Sequence, residues 1–359
     1  EHVALSGRIP QISVICGASA GGGSYSPALT DFVVMTERGN MFLTGPAVVK
    51  EVMGEDVSAA ELGGPKVHDR NGVAHFVAPT DRDAAILVRD LLDHLPSHAG
   101  ATVPVWRTSD PPGYDPGDPV PASDRMVYDV RDVVRGTVDG GRLLEWSARW
   151  ARNMVTGFAR LDGKPVGIVA NQPRFMGGVL DSDSATKAAK FVRTCNAFGI
   201  PLLVFVDTPG FMPGTKQEKG GVIRHGAKLV HAFAEASVPK VTIVLRKAFG
   251  GAFIAMNSRD LGADYVFAWP QATLGVMGAK QAVGIVKRRD IAAAEDPDAA
   301  RDAYAEQYTD EHLTSSVAAA EGYVDEIVPP ADTRRRLTEA LRTLEAVAHP
   351  AHGVRNIPL

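Results

Sequence analysis

Two glycine-rich turns have the residue types and the position best suited to chemistry. Gly21-Gly22-Gly23 and Gly250-Gly251-Ala252 each follow a β-branched segment and precede an apolar one. Glycines placed there leave backbone N–H groups at the start of a helix uncovered by side chains. Such donors can stabilise an oxyanion, and removal of one costs about 2.7–4 kcal/mol in the transition state. Taken alone, either motif also fits a tight turn or close helix packing.

Other interpretations of the two turns are weaker. Neither turn carries the Lys-Ser/Thr pair of a P-loop, and neither matches G-x-G-x-x-G. Residues 17–21 match the Gly-x-Ser-x-Gly elbow of α/β-hydrolases, which makes Ser19 a candidate nucleophile. No Asp and His can be assigned to it as triad partners by spacing. The corresponding position before the second turn is Ala248, which also argues against a hydrolase.

No side-chain acid–base pair or metal motif stands out. The two cysteines, Cys16 and Cys195, exclude a four-cysteine zinc site within this chain. Asp207 follows a predicted strand, where a functional role and a turn-capping role are equally favoured. His225 and His231 fall on a predicted helix, and a helix-surface or packing role is favoured for both. This pattern indicates that the substrate or a cofactor supplies the base.

The composition limits the class of protein. The chain has 359 residues, of which 45% are hydrophobic and 22% charged, as in a soluble globular protein of two domains. A net charge of -4 argues against nucleic-acid binding. No apolar run reaches the roughly 18 residues of a membrane span. Without a recognisable signal peptide, and with reduced thiols, the chain is expected in the cytoplasm.

Hydrophobic periodicity and the positions of glycine and proline predict an α/β architecture. A proline-rich stretch at 96–125 is predicted to link a domain at 1–95 to a domain at 126–359. In the second domain a hairpin is predicted around Asp162-Gly163. Alternating helices and strands follow, with helices at 184–198 and 223–236 and strands at 202–206 and 241–245. Cys195 is predicted to be a core residue of the first of these helices.

The chain also contains an internal repeat. Residues 9–15 resemble residues 238–244, 41–46 parallel 274–279, and 77–81 parallel 328–332. The glycine turns fall at matching positions, and Asp81 and Asp332 are predicted helix N-caps. Matched segments in one order predict duplicated domains. The second copy has about ninety further residues before its match, so the first domain is expected to be incomplete at its N-terminus.

Taken together, these motifs resemble the carboxyltransferase (β) subunits of biotin-dependent acyl-CoA carboxylases of the acetyl/propionyl-CoA type. The resemblance extends over essentially the whole chain. The stretches that carry it are 20–27, 179–185, 207–211, 217–221, 223–228, 250–253, 268–270 and 276–280.

The resemblance implies a ClpP/crotonase-like fold of two homologous domains. It implies a hexamer, a dimer of trimers, in which the N-domain of one subunit and the C-domain of its dimer mate share an active site. The implied reaction moves CO2 from carboxybiotin to the α carbon of acetyl-CoA or propionyl-CoA, giving malonyl-CoA or methylmalonyl-CoA. Such an enzyme serves fatty acid biosynthesis and lipid metabolism.

The resemblance also implies roles for the first glycine turn. The backbone N–H groups of Gly21 and Gly22 would hold the thioester enolate of the acyl-CoA. Ala20 and Gly23 would complete the acyl-CoA site on either side of them.

The second turn would serve biotin. The N–H groups of Gly251 and Ala252 would hold the ureido oxygen, with Gly250, Phe253 and Ile254 as further biotin-binding residues. Ile254 would also contact the acyl group. Propionyl-preferring relatives often carry Asp at this position and other members carry an apolar residue, so the preference between acetyl-CoA and propionyl-CoA stays open. The biotin anion left after CO2 release would take the α-proton, so the cofactor would be its own base.

No biotinylation sequence and no ATP-binding loop are recognisable in the chain. Biotin is therefore expected on a partner, the biotin carboxylase/biotin carboxyl carrier (α) subunit. Three alternatives remain open: a biotin-dependent acyl-CoA decarboxylase subunit, an inactive scaffold subunit, and a crotonase-type hydratase that needs no biotin.

Overall fold

Three β-sheets organise residues 1–345, the part of the chain that the computed structural model describes. The strands are β1 (Ile12–Ile15), β2 (Ala18–Ala20), β3 (Phe32–Thr36), β4 (Asn40–Phe42), β5 (Phe76–Ala78), β6 (Leu144–Trp146), β7 (Met154–Leu161), β8 (Lys164–Asn171), β9 (Leu202–Thr208), β10 (Lys240–Phe249), β11 (Tyr265–Ala268), β12 (Thr273–Gly275) and β13 (Glu326–Ile327).

Helices connect and cover the strands. They are α1 (His2–Leu5), α2 (Tyr25–Ala28), α3 (Pro46–Met53), α4 (Ala59–Gly63), α5 (Pro65–Asn71), α6 (Asp81–Leu92), α7 (Val130–Thr137), α8 (Ser182–Ala197), α9 (Thr215–Lys219), α10 (Val222–Glu235), α11 (Gly250–Ala255), α12 (Ala279–Val286), α13 (Arg288–Ala293), α14 (Pro297–His312), α15 (Ser315–Ala320) and α16 (Thr333–Glu345). Short 3-10 helices lie at Gly21–Ser24, Asp139–Gly141, Met176–Gly178 and Pro330–Asp332.

The largest sheet has the order β13-β11-β10-β9-β8-β7-β6, and β12 also pairs with β10. β6, β7 and β8 are antiparallel, whereas the strands from β8 to β13 run parallel. The predicted hairpin is confirmed, since Leu161 pairs with Lys164 across Asp162-Gly163. Parallel strands bring their carboxyl ends to one edge of the sheet, and in such folds that edge carries the ligand site.

The predicted repeat is confirmed by topology. The parallel order β1-β3-β5 is repeated by β10-β11-β13, and the pairing of β2 with β4 is repeated by the end of β10 with β12. One side-chain contact is repeated as well. The N–H of Gln11 donates to Asp31 at 2.9 Å, and the N–H of Lys240 donates to Asp264 at 2.7 Å. Both copies therefore use the same means to fix the start of their first strand.

The core lies on both faces of the large sheet. Along β9, Leu202, Val204 and Val206 pack on one face, whereas Leu203 and Phe205 pack on the other. Burial on both faces explains why this strand is a continuous apolar run. On the first face the sheet contacts α8, whose Cys195 is fully buried, as predicted.

Several predicted boundaries were wrong. Thr80, not Asp81, caps α6, because its hydroxyl accepts from the N–H of Asp83. Asp332 ends a 3-10 turn just before α16. The strands predicted at 202–206 and 241–245 continue to Thr208 and Phe249. They extend through polar residues because Asp207 is buried against a cation of the neighbouring strand.

Residues 93–129 contain no helix or strand. The segment is tied to the hairpin, since the N–H of Trp106 donates to the Gly163 carbonyl at 2.9 Å, and Arg160 donates to the Pro104 carbonyl at 2.9 Å. The division into domains at 1–95 and 126–359 stays a prediction. None of the helices within residues 1–345 combines the length and hydrophobicity that a membrane-spanning segment needs.

Candidate active site

The second glycine turn joins the end of β10 to the start of α11. Gly250 has a φ of 61°, and a Cβ there would lie 3.0 Å from the Val276 carbonyl oxygen, so glycine is required. All the predicted biotin-side residues lie together in this helix. Ala252 is buried, whereas Gly251 is exposed and the Ile254 side chain is half exposed.

The backbone donors of this turn are available for a ligand. The first N–H groups of a helix have no acceptor within the helix, and the helix dipole makes them attractive to negative charge. Phe249 precedes α11 in an extended conformation, and its side chain does not cap the helix. The N–H groups of Gly251 and Ala252 can therefore bind an oxygen that carries negative charge.

The first glycine turn has the same backbone geometry. Gly21 also has a φ of 61° and follows an extended residue, Ala20, that does not cap the short helix after it. Side chains at Gly22 and Gly23 would meet nothing within 4 Å, so both residues border open space. The turn is held by Ser24, whose hydroxyl contacts the Ser19 and Phe42 carbonyls at 2.9 and 3.0 Å. Ser24 falls within the stretch 20–27 that carries the family resemblance, but no motif indicated this role.

Ser19 lacks the neighbours of a nucleophile. Its hydroxyl lies 3.5 Å from the hydroxyl of Ser24. Among residues 1–345, no histidine is hydrogen-bonded to it. The elbow-like pattern thus belongs to the strand and turn that carry Gly21, and the hydrolase hypothesis gains no support.

Phe211 lies beside the biotin-side turn. Its ring is 4.0 Å from where a Cβ of Gly251 would be and 3.1 Å from where a Cβ of Gly226 would be. A backbone bridge pairs Phe211 with Leu180, and its side chain packs against the hydrophobic core. The sequence marked this residue only as part of a motif, whereas its position shows that it forms a wall of the turn.

Asp207 has a structural role at the same sheet edge. Its carboxylate accepts from the Tyr128 hydroxyl at 2.9 Å and from Arg246 Nε at 3.0 Å, and it is fully buried. Burial raises the pKa of the Asp207 carboxyl, and the Arg246 charge opposes that rise. Arg246 also donates to the Ser123 and Met126 carbonyls at 2.9 Å. This group therefore ties the segment before α7 to the strand ends.

The two histidines pack rather than face the turns. His225 Nδ1 lies 3.0 Å from the Thr186 hydroxyl and so connects α10 to α8. Burial and two nearby cations lower the pKa of His225. His231 lies 3.7 Å from Glu235 one helical turn later. No group of three or more potential metal ligands occurs in residues 1–345.

Within one chain the two glycine turns follow strands of different sheets, β2 and β10. Over the described residues 1–345, no hydrogen bond joins Ala20–Ser24 to α11. Ala20, Gly21, Gly22 and Gly23 form one group, and Gly250 to Ile254 form the other. The prediction that subunits pair to bring the turns together stays a prediction.

Comparison with known families decides the identity. A family model described as the carboxyl transferase domain matches residues 1–355. The chain belongs to the carboxyl transferase family. This confirms the predicted enzyme class, a carboxyltransferase that acts between biotin and an acyl-CoA, and the predicted resemblance.

Three relatives of this carboxyltransferase have informative names. The methylmalonyl-CoA carboxyltransferase 12S subunit of Propionibacterium freudenreichii subsp. shermanii is 51% identical and covers 99% of this chain and 69% of its own. The propionyl-CoA carboxylase beta chain of Saccharopolyspora erythraea is 48% identical, with 99% and 68% covered. The methylmalonyl-CoA decarboxylase subunit alpha of Veillonella parvula is 46% identical, with 100% and 70% covered.

A solved structure confirms the predicted crotonase-like α/β fold. One chain of the transcarboxylase 12S hexamer structure, which has methylmalonyl-coenzyme A and methylmalonic acid bound, superimposes on this chain with a TM-score of 0.94 at 49% identity. The match covers 100% of this carboxyltransferase and 70% of that chain.

Proposed function

We propose that this carboxyltransferase moves CO2 between carboxybiotin and the α carbon of acetyl-CoA or propionyl-CoA. The observation that carries the proposal is the pair of uncapped turns with the same geometry. Gly21 and Gly250 share a φ of 61°, and neither turn has a side chain on its N–H donors. Two such turns suit a reaction in which two oxygens gain negative charge, one on each reactant.

The first turn is assigned to the acyl-CoA. The N–H groups of Gly21 and Gly22 donate to the thioester oxygen and stabilise the enolate that forms when the α-proton leaves. Ala20 and Gly23 border the thioester. The open space at Gly22 and Gly23 supports this assignment, because a planar thioester must approach the backbone closely.

The second turn is assigned to biotin. Its open donors beside a flat aromatic wall, Phe211, fit the ureido ring. The chemistry that carboxybiotin supplies when bound is a source of CO2 and a base. Gly251 and Ala252 hold the ureido oxygen, and Gly250 keeps the turn open. Phe253 and Ile254 contact the ring system from the helix.

The acyl preference is assigned to propionyl-CoA over acetyl-CoA. Ile254 places an apolar, half-exposed side chain at the turn and does not itself support this preference, because propionyl-preferring relatives often have Asp at that position. The preference rests on the named substrates of the relatives, methylmalonyl-CoA and propionyl-CoA.

The proposal includes an assembly and a partner. A hexamer like that of transcarboxylase 12S would bring a first turn and a second turn from paired subunits together. Biotin would arrive on a biotin carboxylase/biotin carboxyl carrier (α) subunit, and the complex would work in the cytoplasm. A second candidate, a decarboxylase subunit, uses the same site in reverse and is favoured by the Veillonella parvula relative.

The test is decarboxylation of malonyl-CoA and of methylmalonyl-CoA with and without biocytin. We expect turnover that requires biocytin and is faster with methylmalonyl-CoA. Decarboxylation without biocytin would refute the assignment of the second turn to biotin. No turnover with either thioester, for a chain that forms hexamers, would favour the inactive scaffold. Carboxylation on addition of a carboxylated carrier separates the carboxylase from the decarboxylase subunit.

A further inference from the structure

A cleft rich in arginine lies apart from both glycine turns. Its volume is about 970 Å³, within the size range of small-molecule sites. One carboxylate, Asp129, lies among its lining residues. The other charged lining residues are Arg70, Arg131, Arg135, Arg149, Arg152 and Arg174. This excess of guanidinium groups makes the cleft attractive to anions.

The cleft lies at the sheet edge that carries the biotin-side turn. Arg149 and Arg152 belong to the connection between β6 and β7, and Arg174 follows β8. β8, β9 and β10 are parallel, so the end of β8 and the end of β10 lie at the same edge. The two strands are two spacings apart, about 10 Å, and β10 runs further along the edge, since Ala170 aligns through Phe205 with Ile243. A ligand in the cleft could therefore reach toward the site.

Two arginines are available to bind a ligand. Arg152 stacks on Phe175, with its guanidinium carbon 3.8 Å from the ring centre, and has no hydrogen bond or ion pair within residues 1–345. Arg149 is 61% exposed and meets Asp69 on one side only, at 3.3 Å. Most of their N–H donors thus have no protein acceptor within residues 1–345.

The floor of the cleft, behind Arg149 and Arg152, is held by ion pairs and hydrogen bonds. Arg131 is largely buried and donates to both carboxylate oxygens of Glu145 at 2.7 Å. It also contacts Asp129, whose carboxylate accepts from Gln172 at 2.6 Å. These bonds attach α7 to β6 and to the end of β8, so the floor of the cleft is preorganised.

The turn that carries Arg149 and Arg152 has an unfavourable backbone conformation. Ser147 and Ala151 are non-glycine residues with positive φ, 53° and 43°. Lys187, buried in the core, donates to the Trp150 and Met154 carbonyls at 2.9 and 2.7 Å. Strained backbone and a buried lysine next to arginines are unfavourable, and strained backbone concentrates at functional sites.

We propose that this cleft binds the phosphate groups of a diphosphate-bearing ligand, with Arg149 and Arg152 as the main donors. Guanidinium groups pair bidentately with phosphate oxygens, and several converging arginines favour more than one phosphate. Two sources share this chemistry: the diphosphate of a CoA thioester and a free nucleotide. The CoA source rests on the proposed function, whereas diphosphate binding itself does not.

Titration calorimetry with inorganic pyrophosphate tests the site on the 359-residue chain. We expect Arg149→Gln/Arg152→Gln to weaken binding at least about tenfold and Arg152→Lys to weaken it less. A matched control, Arg301→Gln/Arg335→Gln, removes two exposed arginines of α14 and α16 and should bind like the wild type. Circular dichroism and oligomeric state check that each variant folds.

Equal pyrophosphate affinity in all variants would mean an adventitious anion and would overturn the proposal. No binding to the wild type would also overturn it, and would leave an acidic protein segment as the occupant to test.

Kinetics with two thioesters distinguish a CoA thioester from a free nucleotide as the ligand of the cleft. If the CoA diphosphate occupies the cleft, Arg149→Gln/Arg152→Gln should raise KM for methylmalonyl-CoA and leave KM for methylmalonyl-pantetheine unchanged. If a free nucleotide occupies it, ADP should bind the wild type but not the variant, with both KM values unchanged. A wild type that turns over neither thioester would refute the proposed function, and the pyrophosphate result would still decide the site.

Discussion

Replacement of Gly251 tests the biotin-side assignment most directly. Unlike Gly250, this glycine does not have a positive φ, and a Cβ there would touch only Phe211, at 4.0 Å. The fold therefore has room for a side chain at this position. Glycine is not required there by the backbone, so we expect its requirement to come from the ligand.

Substitution of Gly251 should have opposite effects on stability and on activity. Gly251→Ala in α11 should leave the free energy of unfolding unchanged or raise it by up to about 1 kcal/mol, because alanine is the better helix former. Gly251→Leu places a side chain over the donors. The loss of one such donor corresponds to about 2.7–4 kcal/mol, or roughly 10²- to 10³-fold in kcat.

The assay is biocytin-dependent decarboxylation of methylmalonyl-CoA, with urea unfolding and oligomeric state measured in parallel. Gly284→Leu is a matched control, since Gly284 lies in another helix, α12, and a Cβ there meets nothing within 4 Å. Wild-type turnover by Gly251→Leu would refute the assignment of this turn. Equal loss of activity in the Gly284 control would point to a general effect of bulk instead.

Three further outcomes are expected. Ile254→Asp should change the ratio of kcat/KM for acetyl-CoA and propionyl-CoA, and an unchanged ratio would remove Ile254 from selectivity. Arg246→Met should cost about 3–5 kcal/mol in urea unfolding, because it leaves Asp207 buried without its cation; Arg246→Met/Asp207→Leu should recover part of the loss. Burial lowers the pKa of Lys187 to about 7 from an ordinary 10.5, so the unfolded chain binds more protons between these values. The free energy of unfolding should then rise by about 2 kcal/mol from about pH 7 to about pH 9, and Lys187→Met should flatten that rise.

Local patterns could be read from the sequence because their causes are local. The hairpin at Asp162-Gly163 depends on two adjacent residues. The repeat was visible because both copies keep glycine wherever the same backbone turn demands it. Such features depend on a few neighbouring residues, so they can be predicted without knowledge of the fold.

Other features depended on residues far apart in the chain. Asp207 could equally have been functional or structural until the fold placed Tyr128 and Arg246, 79 and 39 positions away, on its carboxylate. The strand ends were misjudged for the same reason, because polar residues can continue a strand only when distant partners satisfy them.

The sequence by itself determined the family, the duplicated plan and the two glycine turns, because these are written in residue types at short spacing. Only the tertiary structure decided what surrounds them. It placed Phe211 against the second turn and Lys187 beneath the turn of Arg149 and Arg152. It also gathered six arginines from separate segments around one cleft. Electrostatic and steric surroundings are sums over neighbours in space, and those neighbours are chosen by the fold.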